Sequence, residues 1–399
     1  MYQMNTTGVM SWLGLKLKGD KWIWIAVILL SLIGVLVVYT STMPLALKDK
    51  GGNTESFLIK HSFILIASLV LMYIVHLFDY RVFGNLSMIF LILTVPLLVF
   101  AMFQSAGVEG DASGENRWIK PLGFSVQPSE LAKLAVMIYL ARYLSERQGV
   151  ITDFKKGFLP VIIWITLICG LIALSNLSTA MLIFACSILL IFVSGVKIKY
   201  LMGLVLIGIL GLTLLFNFAE RGKTWKKRLE TYATQFSSAS DDKNKSGALD
   251  ENYQVLQSQI AIYEGGLLGK GIGKGSQRGY LPSASMDFIF AIIVEELGIV
   301  GGLVVLGLYL LLLFRAMAIV TVSKTFGALL AAGLAFLLTM QALINMGVTV
   351  GVLPVTGQPL PLISLGGTNM IFTAIYLGII LSVSRHYLEN NGKEVLVAA

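Results

Sequence analysis

The sequence predicts an all-α integral membrane protein of about ten transmembrane helices, with a large outer loop between helices 7 and 8 and a re-entrant loop between helices 9 and 10. Composition is the first reason. Of 399 residues, 56% are hydrophobic and only 13% charged, against about 25% charged in soluble domains, and the mean hydropathy is +0.81. So few charges cannot cover a water-facing surface, and lipid must solvate much of the chain. The second reason is a series of apolar runs near the ~20 residues that cross a ~30 Å hydrocarbon layer. They fall at about 22–43, 57–77, 83–103, 157–175, 179–195, 200–218, 289–314, 326–346 and 367–384. The third is where lysine and arginine fall between them.

A tenth run, about 129–145, is shorter and contains Glu130 and Lys133. Counting it makes the number of spans even and puts both termini on one side. With the termini inside, fourteen Lys and Arg flank the inner ends, while the short outer loops hold five: Lys48, Lys50, Lys60, Arg117 and Lys120. Positive charge concentrates on the cytoplasmic side of membrane proteins, and omitting the tenth span scrambles the asymmetry. Residues 1–21 then form a cytoplasmic tail, 22–385 the membrane domain with an outer loop at 220–285, and 386–399 a second cytoplasmic tail. The first apolar run is too long for a cleaved signal peptide and is expected to stay as an anchor.

Composition also excludes chemistry. Cys169 and Cys186 both lie within apolar runs, and His61, His76 and His386 are far apart. That leaves no disulfide framework, thiolate metal site or histidine-built metal centre. No organic cofactor and no nucleic-acid partner are expected; the metal question is unknown, with a carboxylate-bound Mg or Mn ion still open.

The outer loop has three parts. Arg221, Lys223, Lys226, Lys227 and Arg228 surround Trp225, Leu229, Tyr232 and Phe236 at helical spacing. That reads as an amphipathic helix in the lipid interface, or as a solvated charged helix. Residues 237–251 are polar and expected to be mobile. Tyr253 to Tyr263 reads as a helix ending at Gly265 and Gly266.

Four segments carry candidate chemistry. The glycine-rich run from Gly265 to Gly279 has neither the strand–turn–helix context of a dinucleotide site nor Ser or Thr after Lys270 for a phosphate loop. Its backbone N–H groups with Lys270, Lys274 and Arg278 suit a pyrophosphate cradle; a plain flexible loop fits equally. Asp287 stands where polar loop becomes apolar helix, with Glu295 and Glu296 two turns further in. Asp287 reads either as a helix cap or as the start of a polar track, because an intramembrane carboxylate costs about 2.5–3.5 kcal/mol and defaults to a functional or paired role. Between Asn116 and Lys133, Pro128 suits a first helical turn, Glu130 and Lys133 can pair at i, i+3, and Arg117 and Lys120 can hold an anion. Finally, Pro354, Pro359 and Pro361 with Gly351, Gly357, Gly366 and Gly367 forbid a continuous helix in an apolar stretch. Irregular backbone at membrane depth must line a cavity or be buried in protein, so this is a re-entrant loop whose exit, Ser364 to Thr368, opens the final helix. All four segments map to the outer half of the membrane.

From about Lys21 to Arg385 the chain resembles the SEDS family, which comprises the FtsW, RodA and SpoVE proteins. The resemblance rests on several ordered blocks: Asn116-Arg117-Trp118-Ile119; Gln127-Pro128-Ser129-Glu130-Leu131-Ala132-Lys133; Gly265-Gly266 with Gly269-Lys270-Gly271; Asp287-Phe288-Ile289-Phe290; Glu295-Glu296-Leu297-Gly298; and Leu353-Pro354-Val355-Thr356-Gly357 through Pro359-Leu360-Pro361 to Ser364 and Gly366-Gly367. The likeness is greatest to the FtsW branch. It implies a peptidoglycan glycosyltransferase of the bacterial cytoplasmic membrane, working at the division septum. It would act on lipid II with a class B penicillin-binding protein transpeptidase and other divisome proteins.

The resemblance makes Asp287 the essential acid, and Arg117 and Lys133 the cavity cations. Asn116, Lys120, Gln127, Ser129, Lys270, Ser364 and Gly366 complete the implied substrate site, and Glu130, Glu295 and Glu296 form ion pairs or line the cavity. Two departures stand out. Pro282-Ser283-Ala284-Ser285-Met286 replaces the family's Pro-Glu-Ala-His-Thr, and neutral Asn176 replaces an aspartate. A lipid II transporter, an elongation-type RodA polymerase and an inactive scaffold remain the rival readings. A transporter needs a midplane site open to both sides.

Overall fold

We describe a computed structural model over residues 17–43, 54–105, 119, 126–148, 153–218, 222, 225–226, 228–230, 232–233, 246–281, 284–322 and 325–391. The chain is a helical bundle of the predicted class. Its helices are α1 (Lys21–Ser41), α2 (Thr54–Leu77), α3 (Arg81–Asn85), α4 (Ser87–Ser105), α5 (Pro128–Glu146), α6 (Leu159–Ser175), α7 (Leu177–Val193), α8 (Ile198–Phe218), α9 (Ser246–Gly265), α10 (Ile289–Val322), α11 (Phe326–Thr349) and α12 (Gly367–Asn391). Among the described residues, all but α3 and α9 coincide with the apolar runs.

The doubtful tenth run is α5, one of the most buried helices. It carries too many polar groups to face lipid, and it packs between α4, α7 and α11 instead. Pro128 fills its first turn, where a missing N–H costs nothing. The most apolar windows of α11 and α12 are each 78% buried, against 11% for α8. α11 is therefore the central post and α8 the most peripheral of these spans.

Local caps set the entries. Asp20 accepts the Trp22 N–H at 2.8 Å to start α1, and Asn176 accepts the Thr179 N–H at 3.2 Å to start α7. A neutral amide caps as well as a carboxylate, which gives the substituted Asn176 a structural role. The start of α1 meets the end of α12. Lys18 pairs with Glu389 at 2.9 Å, the Asp20 N–H donates to Ser384 Oγ at 2.9 Å, and Asp20 pairs with Arg315 of α10 at 2.6 Å. The two ends of the membrane domain thus share one end of the bundle, as an even number of spans requires.

Two expectations change. Helix α9 begins at Ser246, inside the stretch expected to be mobile. Of the basic segment, residues 222, 225–226, 228–230 and 232–233 are helical, but two of its polar groups are spent on protein. Arg228 donates to Val355 O at 3.3 Å and Tyr232 to Val352 O at 2.6 Å, so the helix docks on the loop between α11 and α12.

Candidate active site

Asp287 is half-buried at the entrance to α10, and its main chain is held from three sides. The carbonyl of Ser285 accepts from Leu365 N–H at 2.8 Å, that of Met286 from Ser364 Oγ at 2.7 Å, and that of Asp287 from Asn345 Nδ2 at 2.8 Å. Three consecutive carbonyls are thereby tied to α11 and the 351–366 loop. These ties use backbone acceptors, so they tolerate the substituted Ser285 and Met286; Ser283 lies outside the described residues.

The 351–366 loop is irregular, as its prolines dictate, and the helices around it bond several of its polar groups. Gln358 donates to Thr179 Oγ1 at 3.0 Å and its carbonyl accepts from Asn345 at 2.8 Å. Gln341 donates to Pro359 O at 2.9 Å, and the Tyr309 hydroxyl donates to Pro361 O. Gly357, at φ +66°, faces the acid: a β-carbon there would lie 3.5 Å from Asp287 Oδ2. A backbone without a side chain thus walls one side of the carboxylate.

Lys133 lies one helical turn below this ring, 1% exposed. It pairs with Glu130 at 2.8 Å and donates to Gln341 Oε1 at 3.0 Å. Gln341 also donates to Asn369 of α12 at 3.0 Å. Because Gln341 and Asn345 are i, i+4 on α11, they stand on one face about 6 Å apart along the axis. The Lys133 network and the Asp287 network therefore meet on adjacent turns of the same helix. A buried charge is tolerable only with such partners.

The glycine-rich run is held through its backbone and is not the flexible loop that its glycines alone suggest. It is stitched into α10. At Gly298 (φ +74°) the helix opens, and the bonds that would join the Ile299 and Val300 amides to the carbonyls of Glu295 and Glu296 are replaced. Lys270 N–H donates to Glu295 O at 2.9 Å and Gly271 N–H to Glu296 O at 3.0 Å. Ile299 N–H donates to Gly266 O at 2.9 Å and Val300 N–H to Leu267 O at 3.3 Å. Every group freed by the break is repaired by the loop, as burial demands. The approach leaves no room for β-carbons: one on Gly265 would lie 2.1 Å from Val294 O, and one on Gly269 2.3 Å from Glu296 O.

The two glutamates face this loop. Glu295 accepts from the amides of Ser276 at 2.7 Å and Gln277 at 3.1 Å, and Glu296 accepts from Thr40 of α1 at 3.0 Å and lies 3.9 Å from Arg278. Lys270 pairs with Glu264 and lies 3.5 Å from Glu295. That hydrogen bond holds the Glu264 carboxyl below, and the Lys270 ammonium above, its ordinary range.

The sequence-derived site is thus divided. Asp287 and Ser364 come together, and Ser364 also accepts from Leu360 N–H at 2.7 Å, so its hydroxyl is spent within the fold. Gly366 accepts from Met370 as α12 begins. Gln127 is the half-buried residue before α5 and Ser129 is buried in its first turn. Asn116, Arg117 and Lys120 lie outside the described residues. Glu295, Glu296 and Lys270 serve the stitched loop instead of a track from Asp287. The sequence reading passed over Gln341 as well as Gln358 and Asn369; polar residues four apart in an apolar helix were the available signal.

The model of the FtsW/RodA/SpoVE family, described as cell cycle proteins, matches residues 20–389. The chain belongs to this family. It is 33% identical over 369 residues to the probable peptidoglycan glycosyltransferase FtsW of Geobacter metallireducens, covering 92% of this chain and 94% of that one. Its identity to the probable peptidoglycan glycosyltransferase FtsW of Bacillus subtilis is 34% over 381 residues, 92% of each. A chain from a solved structure, described as structural coordination of polymerization and crosslinking by a peptidoglycan synthase complex, matches with TM-score 0.69 and 25% identity. That match covers 93% of this chain and 99% of the other. Within the FtsW/RodA/SpoVE family the likeness is FtsW-like, and the chain is a multi-pass membrane protein.

Proposed function

We propose that this chain is a peptidoglycan glycosyltransferase that polymerises lipid II on the outer face of the bacterial cytoplasmic membrane, in septal wall synthesis. The observation that carries the reading is Asp287: a half-buried carboxylate on a main chain tied at three carbonyls, in a member of a family whose curated relatives are named for this activity.

Asp287 accepts the proton of the acceptor sugar hydroxyl as that oxygen attacks the anomeric carbon of the donor. The bond from that carbon to the pyrophosphate oxygen breaks, and undecaprenyl pyrophosphate leaves with the electron pair. A placed base of this kind contributes about 10²–10⁴-fold. Charge developing on the leaving group falls to Arg117 and to the N–H groups that open α12 at Gly367. Lys133 and Lys270 already have protein partners, so Lys133 acts at one remove, fixing the 351–366 loop through Gln341. Among the described residues no three His, Cys, Asp or Glu side chains converge to hold a metal, and no step is routed through one.

The architecture fits work beside a class B penicillin-binding protein transpeptidase, given the synthase complex that it resembles, together with other divisome proteins. Both termini are cytoplasmic in this reading. Purified protein reconstituted with labelled lipid II and that transpeptidase should yield glycan strands. Movement of intact lipid II between leaflets with no polymer would replace this reading with the transporter.

A further inference from the structure

Within the outer loop the glycine-rich turn reads from sequence as a candidate anion cradle, yet it exposes apolar side chains. Leu267 is 71% and Leu268 82% exposed, and Ile272 is exposed beside them. Single exposed leucines need no explanation; these sit at a fixed height. The carbonyls of Gly266 and Leu267 are bonded to the amides of Ile299 and Val300, and α10 changes character at that level. Ile289 to Glu296 are all buried, whereas Ile299, Val300, Leu303 and Val304 are exposed in a helical stripe. Past the break at Gly298 the 24 residues of Ile299–Val322 rise about 36 Å at 1.5 Å each, enough for a ~30 Å hydrocarbon layer. The stretch from Ile299 onward accounts for a full crossing. The end of α1 supports the same level, because Thr40 is bonded to Glu296 while Tyr39 and Met43 are exposed.

We propose that the turn at 266–272 is a lipid anchor: Leu267, Leu268 and Ile272 enter the headgroup–acyl border of the leaflet around the N-terminal end of α10. Lipid is the occupant because the turn is bonded at the level where the exposed apolar stripe of α10 begins, at Ile299 and Val300, while the charge of the neighbouring Lys270 is met by Glu264 and Glu295. Interfacial segments bury apolar side chains about 5–10 Å deep. The anchor fixes the height of the chain that runs on through Gln277 and Leu281 to Asp287.

The test is a nitroxide at Leu268→Cys in full-length protein in nanodiscs, with Cys169 and Cys186 replaced by alanine, and the same label at Leu303→Cys as a lipid-facing reference. Collisions with oxygen should exceed those with a water-soluble nickel chelate at both positions. Nickel-dominated relaxation at Leu268 would put the turn in water and overturn the proposal. Protection from both reagents would mean that protein covers it, and would overturn it equally. Ile272→Cys provides the second reading and must give the same ordering, including where Leu268→Cys does not yield folded protein.

Discussion

Asn345 donates from a single amide nitrogen to the main-chain carbonyls of both Asp287 and Gln358, each at 2.8 Å. One side chain on the central helix therefore sets the distance between the proposed base and the re-entrant loop opposite it. Hydrogen bonds between membrane helices contribute only about 0.6 kcal/mol on average, but a 1 Å misplacement of a reacting group can cost about 10²-fold in rate. The value of the staple lies in position more than in stability.

Asn345→Ala should lower polymerase turnover about tenfold or more while the thermal midpoint falls only slightly, since about 1 kcal/mol is lost. Single-turnover kinetics beside a melting curve measure both. A large loss of stability with unchanged turnover would show that the staple has no bearing on Asp287.

Gly357→Ala should also act on turnover. The backbone there is left-handed at φ +66°, which costs a residue with a β-carbon about 1–2 kcal/mol. The new methyl would sit 3.5 Å from Asp287 Oδ2, an ordinary contact. The expected result is folded protein with kcat reduced about tenfold or more and lipid II affinity little changed.

The stitched loop makes a sharper structural prediction. A β-carbon on Gly298 would lie 2.2 Å from Leu267 O, with no flexible atom to yield. Gly298→Ala should unseat the loop, raising amide exchange at residues 266–271 and lowering the yield of folded protein. Gly279→Ala meets nothing within 4 Å and should be silent in both measurements.

Acid should loosen the same loop at its edge. The Lys270 hydrogen bond lowers the Glu264 pKa, so the pair favours the folded loop above the unfolded value of 4.5, and the benefit is lost as pH falls through the lower folded value. Exchange at 270–277 should rise below pH 4.5, and Glu264→Gln should remove that dependence. Both side chains keep about a third of their surface in solvent, which keeps the effect small.

Much of the fold was legible because lipid imposes simple rules. Apolar runs of fixed length and an asymmetry of Lys and Arg located α1 through α12 apart from α3 and α9, and α9 was legible only from Tyr253 to Tyr263. The polar run with Glu130 and Lys133 could be kept as a span only through charge counting, and its burial between helices explains why hydropathy undersold it. The irregular 351–366 loop was legible from its prolines. The repair of α10 by residues 266–271 was not. It needs two segments about 30 residues apart to exchange backbone bonds, and only the glycines at 265, 269 and 298 hinted at it. Lys270 was half legible for the same reason: a lysine among glycines looks like a phosphate ligand, and its pairing with Glu264 and Glu295 appears only in the fold.

In the proposed reaction Asp287 takes the proton of the acceptor hydroxyl. Asp287→Asn, purified with its transpeptidase and supplied with lipid II, tests it most directly. The amide keeps the size of the side chain and the tied main chain but cannot act as a base. Polymer should be absent while expression, folding and complex formation are unchanged. Glycan strands formed at the wild-type rate would show that Asp287 is not the base.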